Sequence, residues 1–380
     1  MKKIFTLVAA ALCSMSMMAK EYTCPLVVNM MGTDMPVGDV KVNVDEQGEG
    51  KYTMSLLNFK MNDFMQIGNI VIKDVEATKC GNVIMLNAAK DIQITEGDDK
   101  NVEWMGPGLG NVNIIFKGEL KGDNFNAYLN IPLAGGMIVG VKLGEKCNEM
   151  GQLPNAGFEK FHEASYNDAK SQEPNGWHSF MSSTGIMASM VSSPVHTYAS
   201  SEVRENAAED NKQCVKIVST PVKVGTLVVA SANGTITTGR LKAGSMTASN
   251  KNNCSFLDFS STDVDANGDP FYAVLNNKPD AMKVWVKFKA GDGNKNPKAT
   301  ISALLTNGEY AQDPEDDKYA ANIIGRAQNS SIESKDEWQE ITIPFTYDNE
   351  NEMPKAALVT MSTCAVPSGG SKSETNPDVL

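Results

Sequence analysis

Alternation governs the first third of this chain. Between Tyr22 and Leu143, apolar and polar residues change places at every second position in short runs, and the runs are set apart by Gly, Asn and Asp. A period of two belongs to a strand, whose successive side chains point to opposite faces. The runs are Tyr22 to Met31, Asp39 to Asp45, Tyr52 to Phe59, Ile67 to Val75, Val83 to Ala88, Val102 to Met105, Val112 to Leu120, Asn124 to Pro132 and Met137 to Leu143. Turn chemistry separates them at Gly48-Glu49-Gly50, Asn62-Asp63, Gly81-Asn82, Gly97-Asp98-Asp99 and Gly122-Asp123-Asn124. About eight antiparallel strands joined by hairpins predict an up-and-down barrel.

From Leu153 onward the texture changes. Strand-like runs recur at Gln213 to Thr220, Leu227 to Thr237, Ala281 to Ala290, Lys298 to Thr306, Ala320 to Ala327, Gln339 to Tyr347 and Ala356 to Cys364, with wider polar loops between them. Helical periodicity is absent apart from the N-terminal leader and a short turn near Glu202 to Asp210. The expectation is an all-β protein in which a second β-sandwich follows the barrel. A length of 380 residues suits more than one domain. The boundaries expected are a signal peptide at 1–19, the barrel at 20–146, a polar linker at 147–152 and the sandwich at 153–380.

Residues 1–19 carry the signal-peptide layout: Lys2 and Lys3, an apolar stretch from Ile4 to Leu12, and a cleavage site ending at Ala19. Export to the periplasm or cell surface follows. Lipid anchoring at Cys13 is disfavoured, because Leu12 stands before it where a small residue is needed. Export makes disulfides available to Cys24, Cys80, Cys147, Cys214, Cys254 and Cys364. Cys24 and Cys147 bracket the barrel, whose first and last strands become neighbours on closure; free buried thiols are equally compatible. A net charge of −12 speaks against nucleic acid, which demands clustered Lys and Arg.

Short motifs carry two family resemblances. The order Tyr52-Thr-Met-Ser-Leu-Leu-Asn-Phe59, Gly68-Asn-Ile-Val-Ile-Lys-Asp-Val75 and Phe116-Lys-Gly-Glu-Leu120 resembles the calycin-like β-barrel domain of exported Bacteroidales proteins. That resemblance implies a small apolar ligand in the barrel mouth, with Met54, Met61, Met65 and Met105 as lining; the same methionines would equally fill an irregular core. In the second half, Asn155-Ala-Gly-Phe-Glu159 with Asn175-Gly-Trp177, then Gly234-Thr-Ile-Thr-Thr-Gly-Arg240, Gly268-Asp-Pro-Phe271 and Lys278-Pro-Asp-Ala-Met-Lys-Val-Trp285 resemble a carbohydrate-metabolism domain of jelly-roll, carbohydrate-binding-module type. Here Lys278 stands where that pattern has Arg, and Val284-Trp285 replaces its aromatic pair. The pattern also expects a final acidic strand, near which this sequence stops at Asn376-Pro-Asp-Val-Leu380; the expectation is that the chain is truncated there.

Sugar recognition needs flat apolar surface for pyranose C–H faces and planar groups for hydroxyls. Trp285, Arg240, Tyr272, Tyr310, Arg326 and Trp177 are the candidates. Trp285 alternates with Val284, Val286 and Phe288, so it shares the opposite strand face with Lys283, Lys287 and Lys289. Trp177 also suits a core position. No cofactor is expected beyond a structural calcium. The resemblance implies Glu159 and an acidic residue near the last strand, such as Asp378, as its ligands; the loop Asp263-Val-Asp265-Ala-Asn267-Gly268 offers oxygens at calcium-loop spacing but lacks the closing Glu.

Three readings follow. The first is an exported, non-catalytic protein that binds a polysaccharide or other glycan through the jelly roll. The second is a glycoside hydrolase working through acidic residues such as those of Glu309 to Asp317, which requires two carboxyls facing each other across a cleft. The third is a structural surface or adhesion subunit, with other cell-envelope proteins as partners. His162, His178 and His196 all fall within one segment, but no serine sits in G-x-S-x-G.

Overall fold

The computed structural model describes residues 19–132, 137–190, 195–224 and 226–380. The expected signal peptide, apart from Ala19, lies outside the described residues. The chain divides into two compact units, Met1–Asn148 and Glu149–Leu380.

In the first unit, eight strands close into a barrel: β1 (Lys20–Met30), β2 (Thr33–Gly48), β3 (Lys51–Lys60), β4 (Gln66–Cys80), β5 (Val83–Gln93), β6 (Asn111–Lys121), β7 (Asn124–Pro132) and β8 (Ile138–Leu143). Each pairs antiparallel with its sequence neighbour, and β1 closes on β8 with Leu26 opposite Leu143. Alternation does the work expected of it. Tyr22, Cys24, Leu26 and Val28 of β1 are buried while Glu21 and Thr23 are exposed. The β1–β2 hairpin turns on Met31 and Gly32, both at positive φ (52° and 84°). Such a two-residue turn matches strand twist but strains Met31, which has no turn preference of its own.

The expected strand at Val102 to Met105 is not formed. Those residues make a loop that leads into a 3-10 turn at Gly106–Leu109. Pro107 cannot donate to a ladder. Trp104 anchors the loop instead, its Nε1 donating to the Asp99 carbonyl at 3.0 Å. Closure does bring β1 beside β8, yet Cys24 and Cys147 are both buried thiols outside any disulfide. Burial pushes the Cys24 thiol up to about 11.

The barrel interior is filled by its own side chains. Met54 is buried there with Leu56, Phe59, Ile92, Ile114 and Leu129, leaving a cavity of about 40 Å³. Small-molecule pockets run to about 300 Å³ and more. Met105 is half exposed and lies outside this core. Of the methionines expected to line a ligand, Met54 is thus a core residue and Met61 packs against that core.

The second unit opens on the hairpin of β9 (Phe161–Tyr166) and β10 (Ala169–Pro174). Next, β11 (Thr197–Ser200) pairs with β12 (Cys214–Ile217), and β13 (Thr220–Val224) with β14 (Leu227–Ala232). Four short strands follow: β15 (Thr235–Thr237), β16 (Arg240–Ala243), β17 (Asn253–Leu257) and β18 (Ala273–Val274). The remaining strands are β19 (Ala281–Val286), β20 (Lys298–Thr306), β21 (Ala311–Asp313), β22 (Ile323–Glu333), β23 (Gln339–Pro344), β24 (Thr346–Tyr347) and β25 (Ala356–Ser362).

The main sheet runs β15-β25-β20-β22-β24, with β18 also on β25. Its inner face carries Ile301, Ala303, Leu305, Val359 and Met361, which pack on Trp177, Ile217, Val286, Phe288 and Ile343 from the elements opposite. Near the C-terminus, Val379 pairs with Val218 on one side and Lys289 on the other. A third sheet, β16-β17-β21, borders this sandwich. Two glycines of the Gly234-to-Arg240 motif have a steric reason. A Cβ on Gly234 would lie 2.6 Å from the Val218 carbonyl, and one on Gly239 would lie 2.3 Å from the Phe256 carbonyl.

Candidate functional site

Register across the third sheet brings planar side chains together. Arg240 on β16 lies opposite Phe256 on β17, which lies opposite Gln312 on β21. Cross-strand partners share a sheet face. Phe256 stacks on Tyr310 at 5.7 Å, and Tyr310 packs on Tyr319 at 4.3 Å. The Tyr310 hydroxyl donates to Gln312 at 3.3 Å, while burial raises that hydroxyl above its ordinary range. Arg240 lies over the Phe271 ring at 4.5 Å, donates to the Ser182 carbonyl and pairs with Asp263 at 2.9 Å. The result is a half-buried surface of rings edged by a guanidinium, with the buried Gln312 amide bonded to the Lys251 and Pro314 carbonyls and bracing Tyr310 from within. Rings and a guanidinium are group types that a sugar needs.

Beneath Arg240 lies a second constellation. Phe271 also touches the His178 ring at 4.6 Å. His178 Nε2 and His162 Nε2 each stand 3.3 Å from Asp265 Oδ2, and His162 Nε2 is 3.8 Å from Glu173 Oε2. β9 supplies His162 and β10 supplies Glu173, opposite one another in the hairpin register. The loop after β17 supplies Asp265. Glu173 Oε1 is held by the amide and hydroxyl of Ser179, whereas its Oε2 has no hydrogen-bond partner. Burial pushes the Asp265 carboxyl upward, but the His178 contact, the Asp269 amide and the charges of His178 and His162 outweigh it and hold it below its ordinary value. Among the described residues, His162, Glu173 and Asp265 are the set placed to hold a metal.

The other expected site residues lie elsewhere. Trp177 is 1% exposed and belongs to the core, its Nε1 donating to the Pro154 carbonyl. Core burial removes it from any sugar surface. Trp285 is 39% exposed on β19, but the Arg204 guanidinium covers its ring at 4.6 Å. Its strand pairs with β23, apart from the β16-β17-β21 sheet. Tyr272 packs on Phe259 at 4.7 Å. Arg326 is clamped by both oxygens of Glu315 and by Asp348.

The expected calcium ligands do not converge. Glu159 accepts the amides of Lys212 and Gln213, while Asp378 accepts Gly291 N, Asn294 Nδ2 and Ser371 N. N–H donors already bond both oxygens of each carboxylate. In the polar loop, Asp263 turns to Arg240, Asp265 turns inward to the histidines, and Asn267 donates to Asp269.

Nor do the acidic residues of Glu309 to Asp317 face one another across a cleft. Asp313 is bonded to Ser302, Glu315 is held by Arg326, and Asp316 caps the 3-10 turn Asp317–Asn322. Burial raises the Asp313 carboxyl against the Ser302 bond. Its folded pKa therefore exceeds the unfolded one, so its contribution to stability is fully present below the ordinary value of 3.8 and is lost as pH rises through the raised value. Asp313→Asn, which keeps an oxygen acceptor for Ser302, should match wild type at pH 4 and exceed it by about 1 kcal/mol at pH 8. Urea denaturation at the two pH values checks this; an equal difference at both would refute it.

His162, His178 and Glu173 were not singled out as ligands from sequence. The available signal was the crowding of all three histidines into one segment. His196 stands apart, its Nδ1 on the Val218 carbonyl at 2.9 Å.

Comparison with known proteins bears on the first unit. Residues 18–143 match the calycin-like beta-barrel domain. The closed eight-stranded barrel agrees with that match. Among solved structures, the chain is similar to a presumed glycoside hydrolase from Bacteroides vulgatus ATCC 8482, with 15% identity and a TM-score of 0.38 over 59% of this chain and 93% of that one. It is also similar to a presumed glycoside hydrolase from Bacteroides thetaiotaomicron VPI-5482, with 10% identity and a TM-score of 0.34 over 93% of this chain and 81% of that one. Curated proteins give no match.

Proposed function

We propose that this is an exported glycan-binding protein of the periplasm or cell surface, and that its second unit, a jelly-roll sandwich, binds the glycan without cleaving it. The observation that carries this reading is the surface of Arg240, Phe256, Tyr310 and Tyr319. Rings at this spacing offer C–H contacts to a pyranose, and Arg240 offers a planar hydrogen-bonding group. The calycin-like barrel acts as a packed spacer or partner-docking domain. Trp285 is a weaker platform, because Arg204 must leave its ring before a sugar can stack.

Affinity electrophoresis of the full chain through gels containing xylan, mannan, starch or mucin tests this. Retardation by at least one polysaccharide is expected. Arg240→Ala and Tyr310→Ala should each weaken it about tenfold, the loss of one stacking or planar hydrogen-bonding contact of about 1.4 kcal/mol. Trp285→Ala should weaken it little. Undiminished retention in both Arg240→Ala and Tyr310→Ala would reject this surface as the site. Release of reducing sugar from a retained polysaccharide would favour the hydrolase reading.

A further inference from the structure

We propose that His162 Nε2, Glu173 Oε2 and Asp265 Oδ2 bind one divalent transition-metal ion of the zinc type, with His178 as the residue that positions Asp265. The side chains are 9%, 0% and 2% exposed respectively, and His178 is 0% exposed. A buried carboxylate is normally satisfied by hydrogen bonds or a cation. Here Glu173 Oε2, Asp265 Oδ2 and His162 Nε2 have no hydrogen-bond partner, and all three are turned toward one point.

The tautomer makes the case sharper. His162 Nδ1 faces the Asn175 side-chain oxygen at 3.2 Å, which suits the tautomer with the proton on Nδ1 and leaves Nε2 facing the two carboxylates as a ligand atom. In that tautomer the Nε2 lone pair faces two carboxylate oxygens, an arrangement that a cation between them turns from repulsive to favourable. Metal-bound histidines show this arrangement, the far nitrogen donating to an oxygen that fixes the ring.

Distances and charge fit as well. Zinc–nitrogen and zinc–oxygen bonds of about 2.1 Å at tetrahedral angles separate ligand atoms by about 3.4 Å. The observed separations are 3.3 Å and 3.8 Å. Two carboxylates and a neutral imidazole neutralise one divalent cation, which removes the cost of burying two like charges side by side. An imidazole donor disfavours calcium and magnesium, which take oxygen. His178 Nε2, 3.3 Å from the same Asp265 oxygen, is placed to orient that carboxylate. The ion would tie the β9–β10 hairpin to the 263–269 loop.

The test uses the full chain without a polyhistidine tag, stripped with a chelator and dialysed. Elemental analysis after zinc addition should give one zinc per chain. Zinc should raise the melting temperature by several degrees, whereas calcium should not. Cobalt(II) should give the intense visible d–d bands of a four- or five-coordinate nitrogen–oxygen site. His162→Gln, Glu173→Gln and Asp265→Asn should each lower zinc affinity at least tenfold, and His178→Gln should lower it less. The proposal is overturned if the wild type neither retains zinc nor melts higher with it. It is overturned equally if folded His162→Gln and Asp265→Asn retain zinc as the wild type does. Should these variants fail to fold, the cobalt spectrum of the wild type decides, since octahedral hexaaqua-like bands alone would reject a built site.

Discussion

Trp177→Ala should cost the second unit about 3–5 kcal/mol, the range for truncating a large buried aromatic. Trp177 is 1% exposed, packs at a tilt against Phe158 at 5.1 Å and donates its indole N–H to the Pro154 carbonyl at 2.7 Å. Three losses coincide on truncation. Apolar surface returns to water, the Pro154 carbonyl loses its donor, and a void opens. That void would join a cavity of about 170 Å³ lined by Leu153, Phe158, Leu275, Met282 and Met361, so little collapse can offset it. For a unit of this size each kcal/mol shifts the melting temperature by about 2–4 °C, which predicts a fall of about 10 °C. Calorimetry reads this directly. Trp177→Phe, which keeps a ring but loses the hydrogen bond, should fall between alanine and wild type. A loss below about 1 kcal/mol for alanine would contradict the core assignment.

Trp177 also shows which parts of this structure could be read from residues alone. A tryptophan after a turn, beside the Asn-Gly pair of Asn175-Gly176, could equally have been a sugar platform or a core plug; only the elements opposite decide. The barrel was legible because strict alternation and Gly-rich turns are local signals that agree with one another over the whole domain. Where local signals conflicted, as at Val102 to Met105, β-branched and aromatic residues suggested a strand while Gly106-Pro107 forbade its continuation. The aromatic surface was half legible. Arg240 and Tyr310 could be named, but Phe256 and the bracing Gln312 could not, because the register that aligns β16, β17 and β21 is a tertiary property. The buried histidine–carboxylate cluster was least legible. Glu173 follows His162 closely, but Asp265 is far along the chain, and its loop spacing suggested an oxygen-only calcium site. The fold instead gives Asp263, Asp265 and Asn267 three separate partners.

Asp378→Ala should destabilise the second unit by about 3–5 kcal/mol through the hydrogen bonds its carboxylate accepts. Its carboxylate is fully buried. Oδ1 accepts the Gly291 amide at 2.7 Å and Asn294 Nδ2 at 2.8 Å, and Oδ2 accepts the Ser371 amide at 2.6 Å. Removing the acceptor leaves three donors to find water in a closed site, at about 1–3 kcal/mol for each that fails. Its backbone is committed too, since Asp378 N donates to Ser219 Oγ and its carbonyl accepts the Ser219 amide. Gly370 leaves the carboxylate its space: a Cβ there would lie 2.5 Å from Asp378 Oδ2. Asp378→Asn separates charge from shape. It retains one oxygen acceptor but turns an NH2 group toward an N–H donor, so it too should be destabilised, by about 2–3 kcal/mol. A calcium ligand would behave differently. For such a site, calcium would raise the wild-type melting temperature and the variants would lose that rise. The arrangement of donors around Asp378 instead predicts that millimolar calcium leaves the wild type and both variants where they were, with the deficit of the variants intact. Denaturant titration with and without calcium separates the two cases. A calcium-dependent gain confined to the wild type would return Asp378 to the role of metal ligand.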